Sequence, residues 1–131
     1  MSYGYNAYKK TSVKTASKEQ ILLMLYQAAI KNCKKGIEAI KEGDIQKKGE
    51  CIGRLQDIII ELTNSLDHEV GGDISKELTS LYDFMMHEST QANIQLDSEK
   101  LSGVLSILNT LYEGWSTAIK SLKENGLSEE R

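Results

Sequence analysis

No proline occurs among the 131 residues, so no helix in this chain has to break on steric grounds, and its punctuation falls to glycines and N-cap residues. Those markers divide the chain four ways. Ser17-Lys18-Glu19-Gln20 has the capping-box pattern, in which Ser and Gln side chains answer free amides of the first turn, and it predicts a helix from about Lys18 to about Lys41. Gly43-Asp44 supplies a stop and a new N-cap, opening a second helix to about Leu66. Gly71-Gly72-Asp73 repeats the signal and starts a third helix to about Leu96. Asp97-Ser98 then caps a fourth, which is expected to reach about Glu124 before Gly126.

Apolar spacing favours helix over strand in each segment. Leu22, Leu25, Tyr26, Ala29, Cys33, Ile37 and Ile40 keep the three-and-four rhythm of one helix face. Ile45, Ile52, Leu55, Ile59, Leu62 and Leu66 do the same, with Lys48 interrupting the stripe near its start. The third stripe reads Ile74, Leu78, Leu81, Met85, Ala92 and Leu96. The fourth reads Leu101, Val104, Leu108, Leu111, Trp115, Ala118 and Leu122. Helices of about 22 to 25 residues span about 33 to 38 Å, and short connections between matched lengths favour antiparallel neighbours. The expected fold is all-α: a single domain over 1–131, with an N-terminal tyrosine-rich tail (1–16), an antiparallel up-down four-helix bundle (17–125) and a short C-terminal tail (126–131).

Composition narrows the class. With 40% hydrophobic and 27% charged residues the chain can bury a core. No run approaches the roughly 18 apolar residues of a membrane span, and Met-Ser-Tyr-Gly-Tyr lacks the basic start and apolar run of a signal peptide, so a cytoplasmic protein without membrane insertion is expected. The net charge of -3 argues against a nucleic-acid binder, whose footprint is strongly basic. Residues 1–60 carry 11 basic and 6 acidic side chains and residues 61–131 carry 5 and 13, a split of +5 and -8. That split predicts a basic hairpin facing an acidic one across solvated edges.

Motifs for chemistry are missing. A di-iron bundle needs Glu-x-x-His on two helices, but Ser65 lies three residues before His68 and Phe84 three before His87. Asp83 and His87 stand one turn apart, which is ordinarily a surface contact and not a metal site. Gly71-Gly72-Asp73 lacks the Lys-Ser/Thr of a phosphate loop, and no Gly-x-Ser-x-Gly elbow occurs. The chain is therefore expected to be no enzyme, with no cofactor. Cys33 and Cys51 lie at similar levels on successive antiparallel helices, and both read as buried, reduced thiols.

One feature exceeds what a bundle core requires. Ile21-Leu22-Leu23-Met24-Leu25-Tyr26 wraps a helix in apolar side chains on every side, so its outer face needs a cover too. Ile58-Ile59-Ile60 and Tyr82-Asp83-Phe84-Met85-Met86 show similar surplus, although wide stripes also arise in irregular bundles. Tyr3, Tyr5 and Tyr8, half of the six tyrosines, sit in a tail with Lys9, Lys10 and Lys14, where a freely disordered segment would lack aromatics. Laid on the first helix, those rings would cover part of the surplus. A binding surface for another chain follows, either a partner's or a second copy's.

Several of these segments resemble the flagellar export chaperone family FliS. Tyr5-Asn6-Ala7-Tyr8 with Val13-Lys14-Thr15-Ala16-Ser17 is similar to the family's N-terminal tyrosine segment, and Leu23-Met24-Leu25-Tyr26-Gln27-Ala28-Ala29-Ile30 to its Leu-Tyr-Asp-Gly-Ala-Ile helix start. Ser65-Leu66-Asp67 before Gly71-Gly72, then Leu81-Tyr82-Asp83-Phe84-Met85, then Ala92-Asn93 with Asp97, follow in the family's order. Lys18 stands where the family commonly has proline, and Gln27-Ala28 where it has Asp-Gly. The resemblance implies a cytoplasmic chaperone that binds the C-terminal helical segment of flagellin, prevents premature polymerisation and delivers it to the flagellar type III export apparatus. It implies Tyr5, Tyr8, Leu22, Leu25, Tyr26, Leu81, Tyr82, Ala92, Asn93 and Asp97 as partner-binding positions, with Asp97 also the N-cap of the fourth helix. An export-gate component or flagellar regulator and a weak homodimer are further partners it allows. The competing expectation is a homo-oligomeric helical-bundle structural or adaptor protein.

Overall fold

The computed structural model describes residues 17–130 of the backbone, with side chains through 125. Five helices follow in order: α1 (Lys18–Glu42), α2 (Ile45–Asn64), the four-residue α3 (His68–Gly71), α4 (Asp73–Gln95) and α5 (Ser98–Glu130). The four long helices form a four-helix bundle in which α1 packs on α2 and α5, and α4 on the same two. Neighbours run antiparallel. Cys33 in the second half of α1 donates its thiol to the Leu101 carbonyl near the start of α5 (3.3 Å), and Lys48 near the start of α2 reaches the Asn93 carbonyl near the end of α4 (2.9 Å).

The expected caps form. Ser17 Oγ accepts from Gln20 N (3.2 Å) while Gln20 Oε1 accepts from Ser17 N (3.1 Å), which closes the capping box of α1. Asp44 accepts from Lys47 N (3.0 Å), and Asp97 accepts from Glu99 N (3.0 Å) at the start of α5. Lys48, the interruption in the α2 stripe, is buried, and its ammonium satisfies a carbonyl that has no amide partner at the C-terminal end of α4.

Three boundaries and faces differ from the expectation. A short helix separates α2 from α4 because Asp67 accepts from Glu69 N (3.0 Å) and Val70 N (3.1 Å), a cap that winds one extra turn before the glycines. A Cβ on Gly71 would collide with the Ser75 hydroxyl, so glycine lets α3 sit tightly on the start of α4. The α4 core line follows the apolar stripe at Leu78, Met85 and Ala92 but departs from it at the ends and in between: Ile74 is 62% exposed and Leu96 49%, while Ser75 and Ser89 are buried. Their hydroxyls donate to the Asp67 and Met86 carbonyls (both 3.0 Å), so polar residues occupy core positions without an unpaired group. Finally, α5 continues through Gly126 to Glu130, past its expected end near Glu124. No proline stands there to stop it, and a single glycine in a helix costs only about 1 kcal/mol relative to alanine.

The α1–α2 hairpin, which carries the basic half, packs against the α4–α5 hairpin through α1–α5 and α2–α4 contacts. Among the described residues Lys47 pairs with Glu38 and Glu42 within the basic hairpin, and Lys100 with Glu88 within the acidic one, all at 3.8 Å. No ion pair among them joins one half to the other.

Leu96 closes α4 in the left-handed conformation (φ 55, ψ 42), the one positive φ at a non-glycine position among the described residues. That backbone disfavours a Cβ by about 1 to 2 kcal/mol. Leu96→Gly is therefore expected to raise stability by about 0.5 to 1 kcal/mol after loss of the half-exposed side chain and added unfolded-state freedom are offset. Denaturant midpoints of the two chains check this; a lower midpoint for the variant would mean that the Leu96 side chain holds the α4–α5 turn.

Candidate partner-binding site

The all-round apolar start of α1 distributes its side chains over every direction. Tyr26 points into the core, Ile21, Leu22, Leu23 and Leu25 are half-buried, and Met24 is 42% exposed. Three shallow apolar grooves meet there and share Leu22. The first, about 250 Å³, lies between α1, the α2–α4 connection and α5, and is lined by Leu66, Val70, Ile74, Leu78, Tyr82 and Trp115 besides Leu22. The second, about 290 Å³, runs between α1 and α5 past Trp115, Ala118, Ile119 and Leu122. The third, about 390 Å³, lies along Lys18, Ile21 and Leu25 toward Ser65. A fourth groove, separate from these, runs between α4 and α5 over Leu81, Ile107 and Leu111.

A polar pair lies beneath the first groove. Tyr26 and Tyr82 share a hydroxyl hydrogen bond of 2.5 Å across the bundle, and Trp115 Nε1 donates to the Tyr26 oxygen (3.3 Å). Burial raises the pKa of both phenols, so both stay protonated hydrogen-bonding groups at neutral pH. Gln27 adds a further α1–α5 link by donating to the Tyr112 hydroxyl (2.8 Å). The cysteines are free and buried, and burial pushes the Cys33 thiol up to about 12, which leaves it neutral. Among the described residues no cluster of His, Cys, Asp and Glu could hold a metal ion, and no helix is long and apolar enough to cross a membrane.

The residues singled out in the sequence do not form one patch. Leu22 and Leu25 line the meeting grooves, and Leu81 lines the α4–α5 groove. Tyr82, 1% exposed, belongs to the floor of the first groove, whereas Tyr26 and Ala92 are sealed in the core. Asn93 and Asp97 lie at the other end of the bundle, about 28 Å along α4 from Ile74 at the helical rise. There Asn93 offers its carbonyl to Lys48, and Asp97 caps α5. Tyr5 and Tyr8 lie outside the described residues. Val70, 86% exposed at the mouth of the first groove, escaped sequence reading because a four-residue helix shows no periodic stripe. Trp115, on the fourth apolar stripe, packs against the core and also edges two grooves.

The family model for the flagellar protein FliS matches residues 1–122. This chain belongs to the FliS family. It is 42% identical over 113 residues to the flagellar secretion chaperone FliS of Vibrio cholerae, covering 83% of each chain. It is 31% identical over 121 residues to the FliS of Bacillus subtilis, covering 92% of this chain and 90% of that one. A solved bacterial flagellar chaperone has the same fold, with a TM-score of 0.75 at 18% identity, covering 90% of this chain and 98% of the other. In this FliS-family chain the family match ends at Leu122, while α5 continues to Glu130.

Proposed function

We propose that this chain is a non-enzymatic chaperone that holds the C-terminal helical segment of flagellin on the grooves meeting at Leu22, keeps it from polymerising early and delivers it to the flagellar type III export apparatus. The observation that carries the reading is the convergence of three apolar grooves on one side chain, in a family of flagellar secretion chaperones. An amphipathic helix lays its apolar face into grooves of this kind, and the ordering of a previously flexible segment keeps the complex releasable. Delivery implies a second contact, with an export-gate component, and places the chain in the cytoplasm where flagellin is made. Light scattering of the full chain mixed with the C-terminal segment of its host's flagellin tests the reading. A monodisperse 1:1 complex supports it; a chain that self-associates and ignores the segment would favour the homo-oligomeric bundle.

In the same reading residues 1–16 act as a lid, with Tyr5 and Tyr8 resting near Ile21 to Tyr26 until flagellin arrives. Each buried ring contributes on the order of 1 to 3 kcal/mol, enough to cover a groove and little enough for a long helix to displace. Deletion of residues 1–10 is then expected to raise binding of an apolar dye and to promote self-association of the free protein. A truncated chain that stays monomeric and dye-silent, with unchanged affinity for flagellin, would remove the lid.

A further inference from the structure

We propose that the first groove, between α1, α3, α4 and α5, receives the last turn of the partner's helix, with the Tyr26–Tyr82 pair donating a hydroxyl proton to a free main-chain carbonyl of that turn. The inference rests on the flagellin reading and fixes which end of the bound helix lies at this end of the bundle.

Hydrogen-bond counting carries it. Trp115 Nε1 is a donor only, and it donates to the Tyr26 oxygen. The two phenols bring two protons, and their shared bond uses one. The other has no acceptor among the described residues. If Tyr82 donated to Tyr26, the unpaired proton would sit on Tyr26, which is fully buried and does not line the groove. With Tyr26 donating to Tyr82, the unpaired proton sits on Tyr82, which is only 1% exposed but lines the groove, and an arriving acceptor that reaches its hydroxyl satisfies it.

The rest of the groove states what kind of acceptor fits. Its walls are apolar: Leu22, Leu66, Val70, Ile74, Leu78 and Trp115. A helix offers an apolar face, but its carbonyls are engaged everywhere except in the last turn, where four lack an amide partner. The rim supplies a second match. Asp67 lines the groove, and Glu69 and Asp73 flank its exposed residues Val70 and Ile74, against Lys18 and Lys76 on the basic side. None of these carboxylates has an ion-pair partner among the described residues. Lys and Arg are favoured in the last turn of a helix, so a partner's C-terminal turn brings cations to this rim together with its free carbonyls.

The test measures affinities of the full chain and its Tyr82→Phe variant, by calorimetry, for two peptides from the C-terminal helical segment of flagellin. One is complete and one lacks the last turn of its helix, and both are amidated so that no terminal carboxylate competes. Tyr82→Phe is expected to weaken the complete peptide by about two- to tenfold, the range of one neutral hydrogen bond, and to leave the shortened peptide unaffected. Equal weakening of both peptides, or of neither, overturns the proposal. A cross-linker on Val70→Cys gives an independent readout, since Cys33 and Cys51 are buried. Its attachment to the peptide's last turn supports the proposal, whereas attachment to residues 1–16 or to the peptide's middle overturns it. If the unaltered chain binds neither peptide, the flagellin reading itself falls and takes this inference with it, an outcome distinct from tight binding that ignores Tyr82.

Discussion

Replacing Gly36 by Leu is expected to remove about 3 kcal/mol or more of stability, a large share of the roughly 5 to 15 kcal/mol that holds a domain of this size together. Gly36 lies buried in the second half of α1, facing both α2 and α5. A Cβ placed there would stand 3.2 Å from Leu101 Cδ1 and 3.4 Å from Ile52 Cγ1, with Cys51 Cβ at 4.0 Å. One methyl group can be accommodated by a shift of a few tenths of an ångström in the two flexible side chains. Alanine also gains helix propensity of about 1 kcal/mol over glycine, so Gly36→Ala should stay within about 1 kcal/mol of the parent. The three further carbons of leucine have nowhere to go without parting α1 from α2 or α5. Gly103 and Gly114 on α5 provide the contrast, because nothing lies within 4 Å of a Cβ at either position. Alanine there is expected to raise stability by about 0.5 to 1 kcal/mol. Denaturant midpoints of the four variants check the sequence of effects. A Gly36→Leu chain as stable as the parent would mean that the helices can separate at this level at little cost.

The sequence made the helix starts legible because their signals are local. Ser17, Asp44 and Asp97 each accept amide protons two or three residues on, as their residue types and spacing predict. What it concealed depends on contacts between distant residues. Ser75 and Ser89 lie off the apolar stripe of α4, yet each hydroxyl reaches a main-chain carbonyl and both are buried in the core, which moves the start of the core line one residue away from Ile74 and leaves Ile74 for the surface. Lys48 likewise reads as a break in a stripe, and only the antiparallel approach of α4 explains its burial. The same limit applies to the site. An all-round apolar run from Ile21 to Tyr26 announces surplus surface, but not that Val70 and Trp115 complete the grooves, nor that Tyr82 underlies one of them. Tyrosine is compatible with a core, a groove floor or a surface, and its place is decided by Tyr26 and Trp115, 56 and 33 residues away along the chain.

Met24→Asp is expected to weaken flagellin binding by tenfold or more while leaving the fold in place. The side chain is 42% exposed on the outer side of α1 and adjoins the groove formed by Ile21, Leu22 and Leu25. In the free protein the new carboxylate stays hydrated, so the loss of stability is limited to helix propensity and some apolar contact, about 0.5 to 1 kcal/mol. In the complex an apolar helix covering this face would have to strip water from a charge that has no cation to meet it. Lys18, two turns earlier, is the nearest basic residue in α1 on the N-terminal side, and Lys31 is two turns later. An uncompensated buried carboxylate costs several kcal/mol, and even about 1.4 kcal/mol is a tenfold loss of affinity. Met24→Leu keeps the apolar surface and serves as the control, with affinity expected within about threefold of the parent. Melting temperatures establish that both variants fold, and calorimetry with the flagellin segment then reads the interface alone. Should the folded Met24→Asp chain bind as tightly as the parent, the outer face of α1 does not meet flagellin, and the partner's path must be sought between α4 and α5, over Leu81, Ile107 and Leu111.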